Sequence, residues 1–377
     1  MTGQTDSFCP APWMTFYLEP NGRVDMCCIS SSQLGTVHEH SLKEILKSHQ
    51  LIEIKQMMRE NRPVSACKSC HQVPVLQERF IKSFGGRHHP DYQDIEGFKL
   101  KYLDLRWNNT CNYACIYCGP ELSSLWAQIK DSKQTKISHV KQDMIDLMIE
   151  NIDSLEEVYL AGGEPLMLKE NVTVLAALLD RNPKCKIWCN TNLSTIEDNQ
   201  IFDLLCQFDH VHWHVSGEAI GSQYEYIRWP GQWKVFDANL RKLKSIDKPN
   251  HKMAFNLVWL NLNGIEIWNY IDHLVSLDID IGLVSILPYN MNNWPGPWHL
   301  KNMPRDFLET VRARMMHPVY TQIHTYQQNL EFITKQLNDV DHMPDMLSIA
   351  STLAEMDRTR NLDSRSVFPH IHSYLQS

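Results

Sequence analysis

Six short β-rich runs lie in the middle of the chain, LKYLDLRW, EEVYLAGG, KIWCNTN, HVHWHVS, KMAFNLVW and DIGLVSIL, and the period of two that a β-strand imposes splits the first, third, fourth and fifth into opposing sets. Helical stretches separate them, and strands alternating with helices predict a parallel sheet with crossover helices. The expected fold is α/β, with six repeats forming a partial (β/α)6 TIM-like barrel rather than a closed eight. In HVHWHVS, His210, His212, His214 and Ser216 oppose Val211, Trp213 and Val215, and in KMAFNLVW, Ala254, Asn256 and Val258 oppose Met253, Phe255, Leu257 and Trp259. Helices cover the outside of such a sheet, so the apolar sets are expected to face them. Asp104, Arg106, Asn192, His214, Ser216 and Asn256 are then expected to face a cavity. A polar lining without partners is costly, and water, cofactor and a polar substrate would satisfy it. His214 and Asn256 are accordingly candidates to meet the substrate.

The pattern changes on either side. TFYLEPNGRVDMCC reads as two strands turning at Asn21-Gly22, and Ser41 with Glu44 has the spacing of a capping box that starts a helix. Residues 1–84 are read as a small cluster-binding module, 85–97 as a linker, 98–300 as the barrel and 301–377 as a helical extension.

The formal charge is −8, which argues against a broad nucleic-acid surface. The start lacks the basic and apolar pattern of a secretory signal, and no apolar run is long enough to cross a bilayer. A cytoplasmic location without membrane attachment is expected. In that compartment the 11 cysteines suit metal ligation or catalysis better than disulfides.

Cys111, Cys115 and Cys118 fall within eight residues of NNTCNYACIYCGP, with no histidine to complete a zinc tetrahedron. A cubane iron–sulfur cluster bound by three thiolates leaves one iron open to a cofactor or substrate. Cys9, Cys27, Cys67 and Cys70 come from a leading loop, a hairpin end and a Cys-x2-Cys turn. Four thiols close a site, and by ligand count alone it suits zinc or a cubane cluster. Cys28 beside them is a spare thiol and a candidate hydrogen-atom donor. Cys185 and Cys189 share a strand face expected to pack on helices, and Cys206 reads as core.

The Cys-x3-Cys-x2-Cys run, with Tyr117 before its last cysteine, resembles the signature of the radical S-adenosylmethionine (radical SAM) superfamily. EEVYLAGGEPLML resembles that family's Gly-Gly-Glu-Pro motif, which implies that Gly162, Gly163 and Glu164 hold the methionine amino group. HVHWHVSGEAIGSQYEYIRWPGQW resembles the segment whose serine and arginine meet the ribose and carboxylate, here Ser216 and Arg228. Asn192 joins the expected cofactor contacts. The sequence departs from many relatives in reading Ser-Gly-Glu where they have Ser-x-Asp, which leaves Glu218 without an assigned role. Cys9, twelve residues, Gly22, four residues, Cys27 and then Cys-x2-Cys resemble the one-cluster twitch form of the SPASM domain, placed here before the barrel rather than after it.

These resemblances imply three cofactors: a 4Fe-4S cluster, S-adenosylmethionine bound to it, and one auxiliary 4Fe-4S cluster. They imply reductive cleavage to a 5′-deoxyadenosyl radical that takes a hydrogen atom from a substrate, with electrons from a partner such as flavodoxin or ferredoxin. The expected substrate is a ribosomal peptide or protein residue. A small polar molecule such as an aminosugar is the alternative, and an iron–sulfur electron carrier or scaffold is the non-enzymatic one.

Overall fold

The computed structural model describes residues 7–19, 22–72, 75–131, 141–289 and 296–375. All six central runs form strands: β4 (Tyr102–Leu105), β5 (Glu157–Leu160), β6 (Lys186–Thr191), β7 (Val211–Val215), β8 (His251–Trp259) and β9 (Val284–Pro288). They make one sheet in the order β4-β5-β6-β7-β8-β9. The β4/β5, β5/β6 and β8/β9 pairs are parallel, in register at Leu103↔Val158, Val158↔Ile187 and Leu257↔Ile286. The α/β class expected from the alternation is therefore the class adopted.

Side-chain alternation follows the sequence. Burial along β7 alternates strictly from Val211 to Val215, with the two histidines half-exposed. On β8, Phe255 packs edge-on to Tyr270 at 6.3 Å and Trp259 to Trp268 at 6.0 Å. Both partners lie on the helix Ile267–Ser276, so the apolar set faces the helix. Cys185 and Cys189 are buried, as their shared face requires, whereas Cys206 is half-buried at the end of the helix Gln200–Leu205 rather than in the core.

The N-terminal hairpin pairs β1 (Tyr17–Leu18) with β2 (Arg23–Asp25), and β3 (Gly35–Thr36) adds a third antiparallel strand. Asn21 lies outside the described residues. The capping box is present, with Ser41 N–H donating to Glu44 Oε2 at 2.8 Å and Glu44 N–H donating to Ser41 Oγ at 3.3 Å. Residues 85–97 are tied to the leading segment. Tyr92 packs its ring against Phe8 and Trp13 at 6.0 and 5.8 Å, and Trp13 Nε1 donates to the Asp94 carbonyl at 2.8 Å.

The chain divides into two compact units. The first comprises Met1–Thr110, Asp131–Cys189 and Asp198–Val211, and the second Cys111–Lys130, Asn190–Glu197 and His212–Ser377. Among the described residues no helix is long and apolar enough to cross a membrane.

Candidate functional site

In the second unit the backbone of the three-cysteine loop is held from both sides. Ala114 N–H donates to the Trp229 carbonyl at 2.7 Å and Ile116 N–H to the Ile227 carbonyl at 2.9 Å. Its carbonyls are met by side chains: Ser123 Oγ donates to Tyr113 O at 2.6 Å, Trp126 Nε1 to Cys115 O at 2.8 Å and Trp298 Nε1 to Ile116 O at 3.1 Å. Ser123 also caps the helix Ser124–Ile129, so one residue ends the loop and starts the next element. Trp294 and Pro295, which share a proline-rich stretch with Trp298 in the sequence, lie outside the described residues.

Cys115 is buried, and Cys111 and Cys118 are half-buried. Burial raises the Cys115 thiol, with the charges of Arg228 and Arg360 acting the other way. Burial and then Cys115 push the Cys118 thiol up to about 12. A bound cation would reverse this preference, since coordination deprotonates a thiol.

Tyr117, Glu218 and Arg228 form a buried triad in the same unit. Arg228 Nη1 donates to Glu218 Oε2 at 2.8 Å, and Tyr117 Oη donates to Glu218 Oε1 at 3.0 Å. Arg228 also bonds the Tyr117 hydroxyl, and Asn263 Nδ2 donates to the Glu218 carbonyl at 3.0 Å. Glu218 is fully buried. It is thus the counter-ion of the arginine expected to meet the cofactor. Sequence reasoning set this residue aside because its motif departs from the usual aspartate. The available signal was an acid ten residues before that arginine, with Glu225 the other acid between them.

Other expected contacts are placed as follows. Asn192 is buried, with Nδ2 donating to Asn112 Oδ1 at 3.0 Å and approaching Cys111 Sγ at 3.9 Å. Ser216 N–H donates to the Thr191 carbonyl at 3.1 Å. His214 and Asn256 bond side chain to side chain at 2.8 Å, so neighbouring strands offer them as a pair.

The Gly-Gly-Glu segment lies in the first unit, after β5. Gly162 has φ +110°, in the range that favours glycine. A Cβ on Gly163 would lie 2.1 Å from the Thr110 carbonyl oxygen, so no side chain fits. Glu164 N–H donates to that same carbonyl at 2.8 Å, and its buried carboxylate accepts from Leu166 N–H at 3.1 Å. Both glycines thus let this loop lie directly on the backbone after β4.

Also in the first unit, Cys9, Cys27, Cys67 and Cys70 line one cavity with Met26, Met58, His71 and Phe80. The Cys9 thiol is raised by burial and then by Cys27. His71 Nε2 is buried there without a hydrogen-bond partner, which is costly in an apolar setting. An iron–sulfur cluster fits this donor set, since it supplies sulfur acceptors to the imidazole and ligation sites to the thiols. Among the described residues no three His, Cys, Asp or Glu side chains close on one point as they would around a single metal ion. Cys28 is exposed at its surface, yet the atoms packed around its sulfur, then Asp104 and Cys27, push its thiol up to about 11. Asp104 pairs with Arg106 at 2.9 Å, and the Arg106 guanidinium lies 5.2 Å from the Tyr17 ring centroid.

Each of the two cysteine sets falls within a stretch that matches a known family. The family model of the radical SAM superfamily matches residues 105–274, and that of SPASM, an iron–sulfur cluster-binding domain, matches residues 9–71. The chain is 24% identical over 202 residues to GTP 3′,8-cyclase of Synechocystis sp., an alignment covering 52% of this chain and 56% of that protein. It is 22% identical over 259 residues to molybdenum cofactor biosynthesis protein 1 of Mus musculus, covering 67% and 38% respectively. The chain therefore spans about half or less of the length of these curated relatives. Among solved structures, Streptococcus suis SuiB bound to S-adenosylmethionine aligns at 16% identity and TM-score 0.38, over 64% of this chain and 52% of that one. SuiB bound to the precursor peptide SuiA aligns at 13% and 0.39, over 63% and 56%. The two matched domains imply a 4Fe-4S cluster with S-adenosylmethionine and an auxiliary iron–sulfur cluster. The chain thus carries a radical SAM domain with a SPASM-type iron–sulfur cluster-binding domain on its N-terminal side.

Proposed function

We propose that this enzyme uses S-adenosylmethionine to abstract a hydrogen atom from a residue of a ribosomally made peptide or a protein. The observation that carries this reading is the four-thiol cavity of Cys9, Cys27, Cys67 and Cys70 within the SPASM match, because an auxiliary cluster in the same chain as a radical SAM domain suits a net oxidation of substrate. Bound at Cys111, Cys115 and Cys118, the cluster and S-adenosylmethionine supply an electron and a scissile sulfonium bond.

The protein's own residues fix position. Gly162, Gly163 and Glu164 are assigned to the methionine amino group, and Asn192 and Ser216 to the adenosyl side. Arg228 is assigned to the carboxylate, with Tyr117 and Glu218 holding its guanidinium in place. His214 and Asn256 are assigned to the substrate, and Cys28 to hydrogen-atom return. Flavodoxin or ferredoxin is the assigned electron donor, and cytoplasm the assigned location. The domain bounds proposed are 1–84 for the auxiliary module, 98–300 for the barrel and 301–377 for the extension.

A second reading takes a small polar molecule as substrate. It is favoured by the curated relative named GTP 3′,8-cyclase. One experiment separates the two. Reduced, reconstituted enzyme is incubated with S-adenosylmethionine and either short peptides encoded beside its gene or a panel of nucleotides and aminosugars. A peptide-dependent rise in 5′-deoxyadenosine with a mass change on the peptide supports the first reading, and a rise only with a small molecule supports the second.

A further inference from the structure

The radical SAM match ends at residue 274, yet a side chain far beyond it reaches the three-cysteine loop. Arg360 ends the helix Met346–Arg360 and is 5% exposed. Its Nη2 donates to the Ala114 carbonyl at 2.7 Å and its Nη1 to the Tyr226 carbonyl at 3.4 Å. With Ser123, Trp126 and Trp298, it completes a run in which the carbonyls of residues 113 to 116 each accept from a side chain.

The guanidinium lies over the rings of Trp126 and Trp229, at 4.8 and 5.5 Å from their centroids. Trp126 holds the Cys115 carbonyl, and the Trp229 carbonyl accepts from Ala114 N–H. The helix is anchored independently of this contact. Asp357 accepts from the Tyr226 hydroxyl at 2.9 Å and from Ser364 Oγ at 2.7 Å, and Phe368 packs edge-on to Tyr226 at 5.2 Å. A guanidinium has no neutral state in a protein, so this arrangement fixes a buried positive charge against the loop.

Burying a cation without a carboxylate partner is expensive. No ion pair to Arg360 occurs among the described residues, and its Nε is buried without a hydrogen-bond partner. A structural clamp could be built from a neutral donor at lower cost. The uncompensated charge is explained when the loop carries negative charge, as it does with three cysteine thiolates bound to iron and sulfide. The potential of such a cluster follows the net charge around it.

We propose that Arg360, supplied by the C-terminal extension, is a positioning residue of the radical SAM cluster. It fixes the loop through Ala114 and raises the reduction potential of the cluster held by Cys111, Cys115 and Cys118. The extension is thereby part of the cofactor site. The inference rests on the assignment of those three cysteines as ligands.

The test is an EPR-monitored redox titration of the full, reconstituted chain, with iron content and circular dichroism as controls. The radical SAM cluster is identified by the change that S-adenosylmethionine makes to its spectrum. Arg360→Gln keeps a donor and removes the charge, Arg360→Lys keeps the charge, and Arg358→Gln removes an exposed cation half a turn away. The expected result is a potential shifted to more negative values in Arg360→Gln, largely restored in Arg360→Lys and unchanged in Arg358→Gln. Loss of iron in Arg360→Gln with retention in Arg360→Lys supports the proposal equally. A wild-type potential in Arg360→Gln, or loss of iron in both Arg360 variants, overturns it. A wild type lacking any spectrum sensitive to S-adenosylmethionine would instead overturn the cysteine assignment.

Discussion

Single residues show how the chain deals with buried charge. Glu218 and Arg228 are 0% and 5% exposed at their side chains, and neither has water to replace its partner. Glu218→Gln is expected to cost about 3–5 kcal/mol of stability, because it strands a buried guanidinium. A denaturant titration checks this, and a loss below about 1 kcal/mol would mean that water reaches the pair. Lys55 is a different case. It is fully buried with Nζ donating to the Gly97 carbonyl at 2.8 Å, and burial lowers its pKa to about 8 from 10.5. Between those values the unfolded chain binds more protons than the folded one, so folding gains stability as pH rises from about 8 to 10.5. The gain in melting temperature over that window, measured against Lys55→Met, is expected to be positive, and a flat difference would contradict the assignment. Among the thiols, Cys28→Ser is expected to leave iron content intact and Cys27→Ser to lower it. Iron loss in the Cys28 variant would make that residue a ligand.

Elements were legible wherever one physical signal acted alone. Period-two alternation is reproduced along β6, β7, the Phe255–Trp259 half of β8 and β9, where the register cannot slip without exposing Trp213, Phe255 and Trp259, whereas β4 is buried at every position. The capping box at Ser41 was legible for the same reason, since its two hydrogen bonds are local. β3 was not. Gly35 and Thr36 make a two-residue strand with no alternation to read, and only pairing with Arg23 and Val24 defines it. The packing of residues 85–97 was equally hidden, because Gly and Pro suggested a linker while Tyr92 supplied the anchor. The cysteines stand out by spacing alone, whereas Glu218 and Arg360 act through contacts 101 and 246 residues apart, to Tyr117 and Ala114. The alternation also separates two roles on adjacent strands. Trp213→Ala is expected to destabilise by about 3–5 kcal/mol. Asn256→Ala breaks the 2.8 Å bond to His214, and it is expected to cut substrate turnover at least tenfold while the melting temperature falls by only a few degrees. Equal losses of stability in the two variants would mean that the polar face is structural.

At the scale of the whole molecule, the chain combines two cysteine sets with separate surroundings. One sits in a loop whose backbone is fixed by residues from Ser123 to Arg360, and the other lines a cavity built from the first eighty residues. Substituting Cys67 and Cys70 is therefore expected to remove about half of roughly eight irons and loosen the N-terminal module, while S-adenosylmethionine cleavage persists. Zinc in that module after anaerobic preparation would contradict an iron–sulfur cluster there. The central claim is that Cys111, Cys115 and Cys118 hold the cluster at which S-adenosylmethionine is reductively cleaved. Its most direct test is the formation of 5′-deoxyadenosine by anaerobic, reduced protein without substrate, compared with a variant carrying alanine at all three positions. The account predicts slow but measurable formation by the wild type and none by the variant. Formation by the variant at the wild-type rate would contradict it.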